Sequence, residues 1–550
     1  MAYTIGVDFG SLAVRALLVA VEDGREVAAA SAEYPHAVMT RELPDGTPLK
    51  PDWALQHPQD YLDCLGRVMH EVVEKAGVPT EEIIGIGVDF TASTTFPVDR
   101  EGDPLCLKPE FASNPYAWVM LWKHHAAQDY ANRLTALAQE RGEKLLERCG
   151  GRISSELMLP RLWQIACEAP EVYEAADAFI EAGDWITRKL TGSTARSANP
   201  AAYKLFWNPQ EGYPDFLCAA DERLANVREK LCGQLLPLGG RAGRLNACGA
   251  ELTGLREGTA VSVTCIDAHM ALPAAGVVEG GSLLLILGTS GAHLVLDGAE
   301  HEIPGLLCMA EDGMIPGWYA YEAGQSCCGD HFKWFVDQCT PHSYEREAGE
   351  KGIGLHQLLT QKAQTLRAGQ SGLIALDWWN GNRSVLMDAN LSGLIVGLTL
   401  QTRPEEIYRA LIEATAYGTR VIVENFEKHG VRIHSIKTSG GIAKKNPLLM
   451  QIYADVLRRP LQVIRSEEGP ALGSAIMGAV AAGEQDGGYP DIRTAALRMG
   501  TAIEKTYEPD PEQSAVYEEL FAEYQRLHDW FGRGGNEMMH RLRAIRQKQQ

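Results

Sequence analysis

Three short segments carry residues whose types and spacing suit phosphate chemistry. In Asp8-Phe9-Gly10-Ser11-Leu12-Ala13-Val14-Arg15, a glycine turn follows an apolar stretch and lies between a carboxylate and a guanidinium. Gly10 lets a phosphate approach the backbone amides, Ser11 can donate to a phosphoryl oxygen, and Arg15 adds a cation. Asp8 can hold Mg²⁺ directly or through water. Gly288-Thr289-Ser290-Gly291 makes a similar offer, and Ser439-Gly440-Gly441-Ile442-Ala443 is a third place where a phosphate or flat ligand can reach the backbone. Each segment also suits an inert turn. Asp267, in Thr264-Cys265-Ile266-Asp267-Ala268-His269, is a candidate general base, although an N-cap role fits it as well. His269 is a candidate partner for it, although a structurally satisfied His is the commoner case. No Gly-x-x-x-x-Gly-Lys-Ser/Thr or helix-opening Gly-x-Gly-x-x-Gly occurs, which removes the main support for P-loop and dinucleotide sites.

These segments need strands to present them. Tyr3–Val7 reads as a short strand ending at Asp8, with a second strand over 14–21; residues 61–76 have helical spacing, and 83–88 reads as a buried strand. A second strand-rich region opens at 261–265. Residues 282–287 form the most continuous apolar run and lead into Gly288. A long helix follows Pro404, a strand covers 435–438, and helices cover 447–457 and 471–482. Residues 110–260 look like inserted, substrate-specific structure, and 512–546 like one packed helix with a frayed tail. Strand and helix signals alternate throughout, which predicts an α/β class. The strand-plus-turn device occurs near residue 8 and again near residue 288, so two similar halves facing a cleft would place both turns at its mouth.

Composition bounds the partners. Lys and Arg total 51 and Asp and Glu 72, so 51 − 72 leaves a net charge of −21 over 550 residues. That balance argues against a nucleic-acid surface or adhesion to an anionic membrane, but leaves small anions open to local amides or a bound metal. No segment reads as a signal peptide or membrane span, which predicts a cytoplasmic protein. The 12 cysteines show no Cys-x-x-Cys pair or zinc-ligand spacing, and reduced thiols are the expectation.

The order of Asp8-x-Gly-Ser, Asp267, the Gly-Thr-Ser-Gly turn and Ser439-Gly440-Gly441-Ile442-Ala443-Lys444-Lys445-Asn446-Pro447 resembles the FGGY carbohydrate kinases. Glu468-Gly469-Pro470-Ala471-Leu472-Gly473-Ser474-Ala475 looks like the end of that family's C-terminal signature. The resemblance runs from Tyr3 to about Gly483. It implies two actin/Hsp70/hexokinase-like (ribonuclease H-like) ATPase domains facing a central cleft, with ATP and Mg²⁺ used to phosphorylate a sugar. The implied division is residues 1–265, 266–505 and a helical extension, 506–550. Glycerol kinases of that family carry an Arg-Glu pair where this chain has Asp89-Phe90-Thr91-Ala92-Ser93-Thr94-Thr95, and xylulokinases carry a Gln-Met-His-Gly segment. The run 89–97 with Leu121-Trp122-Lys123-His124-His125 is instead similar to the bacterial L-ribulokinase branch.

That likeness implies a sugar site of Ala92, Lys204, Glu322 and Trp122, with Asp267 as catalytic base. The phosphate and nucleotide contacts it implies are Gly10, Ser11, Arg15, Gly288, Thr289, Gly440, Gly441, Asn446 and Ala471, and the metal would lie near Asp8. The implied reaction is transfer of the ATP γ-phosphoryl group to the terminal (C5) hydroxyl of L-ribulose, within L-arabinose catabolism. Another ketopentose or pentitol (D-ribulose, L-xylulose, ribitol) remains open as acceptor, as does a non-catalytic sugar sensor of the same fold. Ala13 stands where the family's first phosphate turn usually has a second hydroxyl, leaving one phosphate contact in doubt. Alone, Lys204 reads as a surface lysine, Glu322 as a loop acid and Trp122 as core. The Trp-rich segments around Trp334 and Trp378-Trp379 suit either core or a homodimer interface.

Overall fold

A computed structural model describes residues 1–231 and 233–549. Two large sheets dominate it. The first runs, in spatial order, Arg241–Arg244, Ala260–Ser262, Ile83–Phe90, Tyr3–Phe9, Ala13–Ala20 and Glu26–Glu33, with Cys265–Ile266 also paired to Ile83–Phe90. The second runs Cys308–Glu311, Tyr319–Gln325, Gly291–Asp297, Ser282–Leu287, Ser435–Ser439, Leu461–Ile464 and Ile503–Tyr507. Both contain a three-strand antiparallel meander whose first strand pairs in parallel with a fourth, which pairs in parallel with a fifth. Two copies of one topology place the turns after Phe9 and Leu287 at equivalent positions, the carboxyl ends of parallel strands.

Tyr3–Phe9 is buried at every residue from Thr4 onward, which explains its unbroken apolar reading: helices cover both faces. Helix Pro58–Ala76 covers one side of the first sheet. The other side is covered by helix Gly469–Ala482, which comes from far along the chain and packs on Tyr3–Phe9 and Ile83–Phe90. Its composition of Gly, Ala and Ser, buried at all but two positions, lets backbone meet backbone. A Cβ on Gly6 would lie 1.7 Å from the Ala471 carbonyl oxygen, and one on Gly87 1.7 Å from that of Ser474. The same helix crosses helix Asp267–Ala274, where a Cβ on Gly473 would lie 1.9 Å from the Met270 carbonyl oxygen.

Several expectations are modified. The strand read over 261–265 is two short strands, 260–262 and 265–266, and residues 241–244 already belong to the first main sheet rather than to an insertion. Much of the intervening region builds a smaller four-stranded sheet of Leu55–Gln56, Val119–Met120, Thr95–Val98 and Ala178–Glu181 with its own apolar core. The C-terminal segment is two helices, Pro511–Gly532 and Met538–Gln549, because Gly534 in a left-handed conformation (φ 83°) interrupts the first. Trp378 lies in the core while Trp334 is 38 % exposed. Among the described residues, no helix is long and apolar enough to cross a membrane.

Gly87→Ala should lower stability by about 3 kcal/mol, since its methyl group meets a helix backbone rather than a movable side chain. Gly349→Ala, in the exposed helix His342–Lys351 with nothing within 4 Å, should instead gain about 0.5–1 kcal/mol. Thermal unfolding of the pair checks this; an unchanged midpoint for Gly87→Ala would contradict the close helix seat.

Candidate active site

The parallel register decides the first part of the site. Asp8 lies beside Asp89, and Asp89 lies beside Cys265, two residues before Asp267. Three carboxylates therefore collect at the carboxyl ends of neighbouring strands. Asp89 is fully buried; its Oδ2 accepts from Ser474 Oγ at 2.6 Å and its Oδ1 has no partner. Burial and the neighbouring Asp8 raise its pKa well above the usual carboxylate range. Asp267 opens its helix, and its Oδ1 accepts from the Ala268 amide at 2.7 Å. Burial, then the charge of Asp8, pushes its pKa up to about 7.

The Phe9–Ala13 turn is closed by the Gly10 amide donating to Ala13 O at 3.0 Å. Gln56 Nε2 donates to Ser11 O, and Trp122 Nε1 donates to Ser11 Oγ at 3.0 Å, which leaves the Ser11 hydroxyl hydrogen free to donate outward. Arg15 Nη1 reaches Asp8 Oδ2 at 3.1 Å, and its Nε lies 3.9 Å from Glu468. Glu468 directly precedes the helix that covers the first sheet, and a Cβ on Gly469 would lie 3.5 Å from Ser439 Oγ. This run links the first turn to the third.

On the second sheet, the turn Gly288–Ser290 closes through Gly288 N to Ser290 O (3.0 Å). It is clasped by the amides of Cys328 and Gly329, which donate to Thr289 O and Gly288 O. Gly288 and exposed Thr289 face open space. Gly440, at φ 102°, needs to be glycine, because a Cβ would lie 2.2 Å from Leu287 O. Gly441 has nothing within 4 Å. Asn446 Oδ1 caps helix Pro447–Leu457 by accepting from the Leu449 amide, which fixes the orientation of its side-chain amide. Ala471 departs from expectation: it is 0 % exposed and its carbonyl sits on Gly6, so helix-to-sheet packing seals it away from open space.

Lys204, on helix Ala198–Leu205, is buried rather than snorkelling, and Glu322 lies inside strand Tyr319–Gln325 rather than in a loop. They form one electrostatic unit. Burial opposes both charges, but Lys204 and then His269 pull Glu322 down to about 2, and Glu322 keeps Lys204 above its ordinary value. Ala92 lies half-buried in the turn after Ile83–Phe90, next to Ser93 in a left-handed conformation (φ 50°). Arg161, fully buried, ties this turn to the Trp122 segment: Nη1 donates to Ser93 O at 2.6 Å, and Nη2 to Leu121 O and Trp122 O at 3.0 and 3.2 Å.

Asp89, Asn199 and Arg161 are participants that motif reading passed over. Strand register exposes the first, since Asp89 ends a strand parallel to that of Asp8; nothing in the sequence flags the other two. The carboxylates fit a divalent cation by their chemistry: buried acids that raise one another's pKa, one with an orphaned oxygen, gain from a positive charge. Among the described residues only His36, His57 and Asp60 bring three potential ligand atoms within 4.8 Å, so the cleft acids would reach an ion singly or through water.

Burial and the neighbouring Asp8 favour the protonated form of Asp89 in the folded protein, whereas the unfolded chain ionises above about pH 4, so its cost to stability grows as pH rises. Asp89→Asn should therefore stabilise the protein, and more at pH 8 than at pH 5, by up to about 1.4 kcal/mol per pH unit. Unfolding curves at the two pH values test this; an equal effect at both would contradict the buried, protonated acid.

Comparison with known proteins follows the same lines. The N-terminal domain model of the FGGY family of carbohydrate kinases matches residues 3–273, and the C-terminal domain model residues 283–482. A ribulokinase of Geobacillus thermodenitrificans is 50 % identical, with 98 % of this chain and 96 % of that protein covered. A ribulokinase of Mycolicibacterium smegmatis is 46 % identical, covering 99 % and 96 %. Among solved structures, xylulose kinase from Rhodospirillum rubrum superposes with a TM-score of 0.80 at 25 % identity, covering 96 % of this chain and 98 % of that one. Plasmodium falciparum glycerol kinase with ADP does so at 0.76 and 15 % identity, covering 96 % and 98 %, a likeness of fold. The two-sheet architecture is the actin/hexokinase-like ATPase fold, and phosphoryl transfer from ATP to an alcohol is the family's chemistry. The chain belongs to the FGGY family of carbohydrate kinases.

Proposed function

We propose that this protein phosphorylates L-ribulose at its C5 hydroxyl, with Asp267 as general base, giving L-ribulose 5-phosphate for L-arabinose catabolism in the cytoplasm. The observation that carries the reading is Asp267 itself: a partly buried carboxylate at the head of helix Asp267–Ala274, brought by strand register to the sheet end of Asp8 and Asp89 and within electrostatic reach of Lys204 and Glu322. The sugar name follows the relatives called ribulokinase, about half identical over nearly the whole chain.

In the proposed reaction, Asp267 accepts the proton of the terminal hydroxyl as that oxygen attacks the γ-phosphorus in line. The Thr289 amide, the Ser11 hydroxyl and Arg15 hold the transferring group, which Gly10 and Gly288 let approach their turns closely, and Gly440-Gly441 leaves flat space for the adenosine beside Asn446. Glu322 accepts from a sugar hydroxyl, Lys204 donates to a sugar oxygen, and Trp122 offers an indole face. Ala92 leaves space for a five-carbon chain. Asp8 would hold Mg²⁺, which when bound supplies charge neutralisation on the phosphates. The sheets divide near residue 265, with helix Gly469–Ala482 crossing back onto the first, so closure of the halves over the cleft would exclude water as acceptor.

A base of pKa about 7 works only when ionised, so kcat/KM for L-ribulose should rise about tenfold per pH unit below pH 7 and level off above. Asp267→Asn should keep the fold, with thermal stability undiminished or raised, and keep sugar binding while losing about 10²–10⁴ in kcat. ADP release across L-ribulose, D-ribulose, L-xylulose and ribitol tests the substrate: preference for another sugar overturns the named acceptor, and near-normal turnover in Asp267→Asn overturns the base. Ala92→Arg should raise the L-ribulose KM by about tenfold or more through crowding, with the ATP KM unchanged. Unaltered sugar kinetics would remove Ala92 from the pocket.

A further inference from the structure

A single amide organises both ends of the proposed reaction centre. Asn199, 1 % exposed on helix Ala198–Leu205, accepts through Oδ1 from the Ile266 amide at 2.9 Å, immediately before Asp267. Its Nδ2 faces His269 Nδ1 at 2.9 Å and also donates to the Gly313 carbonyl. Because Oδ1 is committed to an N–H, the nitrogen facing His269 is the donor, so His269 Nδ1 must be the acceptor. A neutral imidazole that accepts at Nδ1 carries its proton on Nε2. That Nε2 lies 3.5 Å from Glu322 Oε2, and both atoms are buried with no closer hydrogen-bond partner. Burial keeps His269 neutral, consistent with this tautomer. The Tyr203 ring, 4.5 Å from the imidazole, fixes the plane from the side, while the Tyr203 hydroxyl donates to Ala320 O on the strand of Glu322.

We propose that the Asn199–His269 pair is a positioning relay: Asn199 fixes the tautomer of His269, and the His269 Nε2–H orients the Glu322 carboxylate for a sugar hydroxyl. Lys204 supplies charge to Glu322, whereas His269 supplies direction. At 3.5 Å the contact is slack, and it tightens when a substrate hydroxyl occupies the other Glu322 oxygen. Asn199 thereby couples the strand end that presents Asp267 to the acid that reads the sugar. The relay rests on the reading of Glu322 as a hydroxyl acceptor.

His269→Leu should raise the KM for L-ribulose about ten- to a hundredfold, with the ATP KM unchanged and kcat much less affected. His269→Gln, whose side-chain amide can donate to Glu322, should return that KM to within about threefold of the unaltered protein. A leucine variant that fails to fold leaves the glutamine variant and Asn199→Asp to decide the matter. An aspartate at 199 reverses the donor to His269 Nδ1, forcing the proton there and leaving an Nε2 lone pair against Glu322 once the imidazole is neutral. The ketose KM of Asn199→Asp should therefore climb with pH, while that of the unaltered protein does not. A glutamine variant as impaired as the leucine one, or a flat pH dependence in Asn199→Asp, would overturn the relay. Glu322→Gln separates the two levels: if it raises the ketose KM while His269→Leu does not, only the relay fails. If it leaves the ketose KM unchanged, the role of Glu322 fails and the relay with it.

Discussion

The seat of helix Gly469–Ala482 on the first sheet is the contact on which the site depends. Its backbone carbonyls lie where side chains of Gly6 and Gly87 would stand, and its own Gly473 admits the helix that begins at Asp267. Any larger residue at these crossings would push the two halves apart. Because the helix comes from the second half and rests on the first, this close contact ties together the halves that carry the Gly10 and Gly288 turns. It also supplies Ser474 to Asp89 and, through Glu468 at its start, a carboxylate to Arg15. Small residues therefore set a geometry here that apolar burial alone would leave loose.

Around this seat the charges are arranged locally. A chain of net charge −21 offers an anionic nucleotide a few local groups rather than a positive field. Arg15 is balanced by Asp8 and Glu468, and Lys204 by Glu322, so each cation carries its own counter-charge. Three acids, Asp8, Asp89 and Asp267, share one end of the sheet, and burial, then the charge of Asp8, raises the pKa of Asp89 and Asp267. The arrangement stores unfavourable electrostatics at the place where a metal–nucleotide complex would relieve it. That is a common way for a site to trade stability for function. Arg161 acts on the backbone instead. Enclosed among carbonyl oxygens, it fixes the Ala92 turn and the Trp122 segment relative to each other.

What the sequence determined by itself was local and periodic. Unbroken apolar runs located Tyr3–Phe9, Ile83–Phe90 and Ser282–Leu287, because central strands covered on both faces lack alternation. Glycine-plus-hydroxyl pairs located the turns, since only certain residues fit there, and Asp267 was visible as an acid at a strand end. The single helix read over 512–546 failed where Gly534 breaks it, a backbone effect that apolar spacing does not register. Only the tertiary structure decided which residues meet across long separations. Glu322 and Lys204 each looked like ordinary surface residues, and they became an electrostatic pair, Lys204 buried and Glu322 partly so, because two distant elements close on each other. Ala471 lay inside a motif but was sealed by Gly6, from the opposite end of the chain. Asp89, Asn199 and Arg161 carry no motif, because their roles come from strand register and from backbone groups of other segments. Period and turn chemistry act over a few residues and can be read along the chain; desolvation and charge pairing act through space and exist only once the chain has folded.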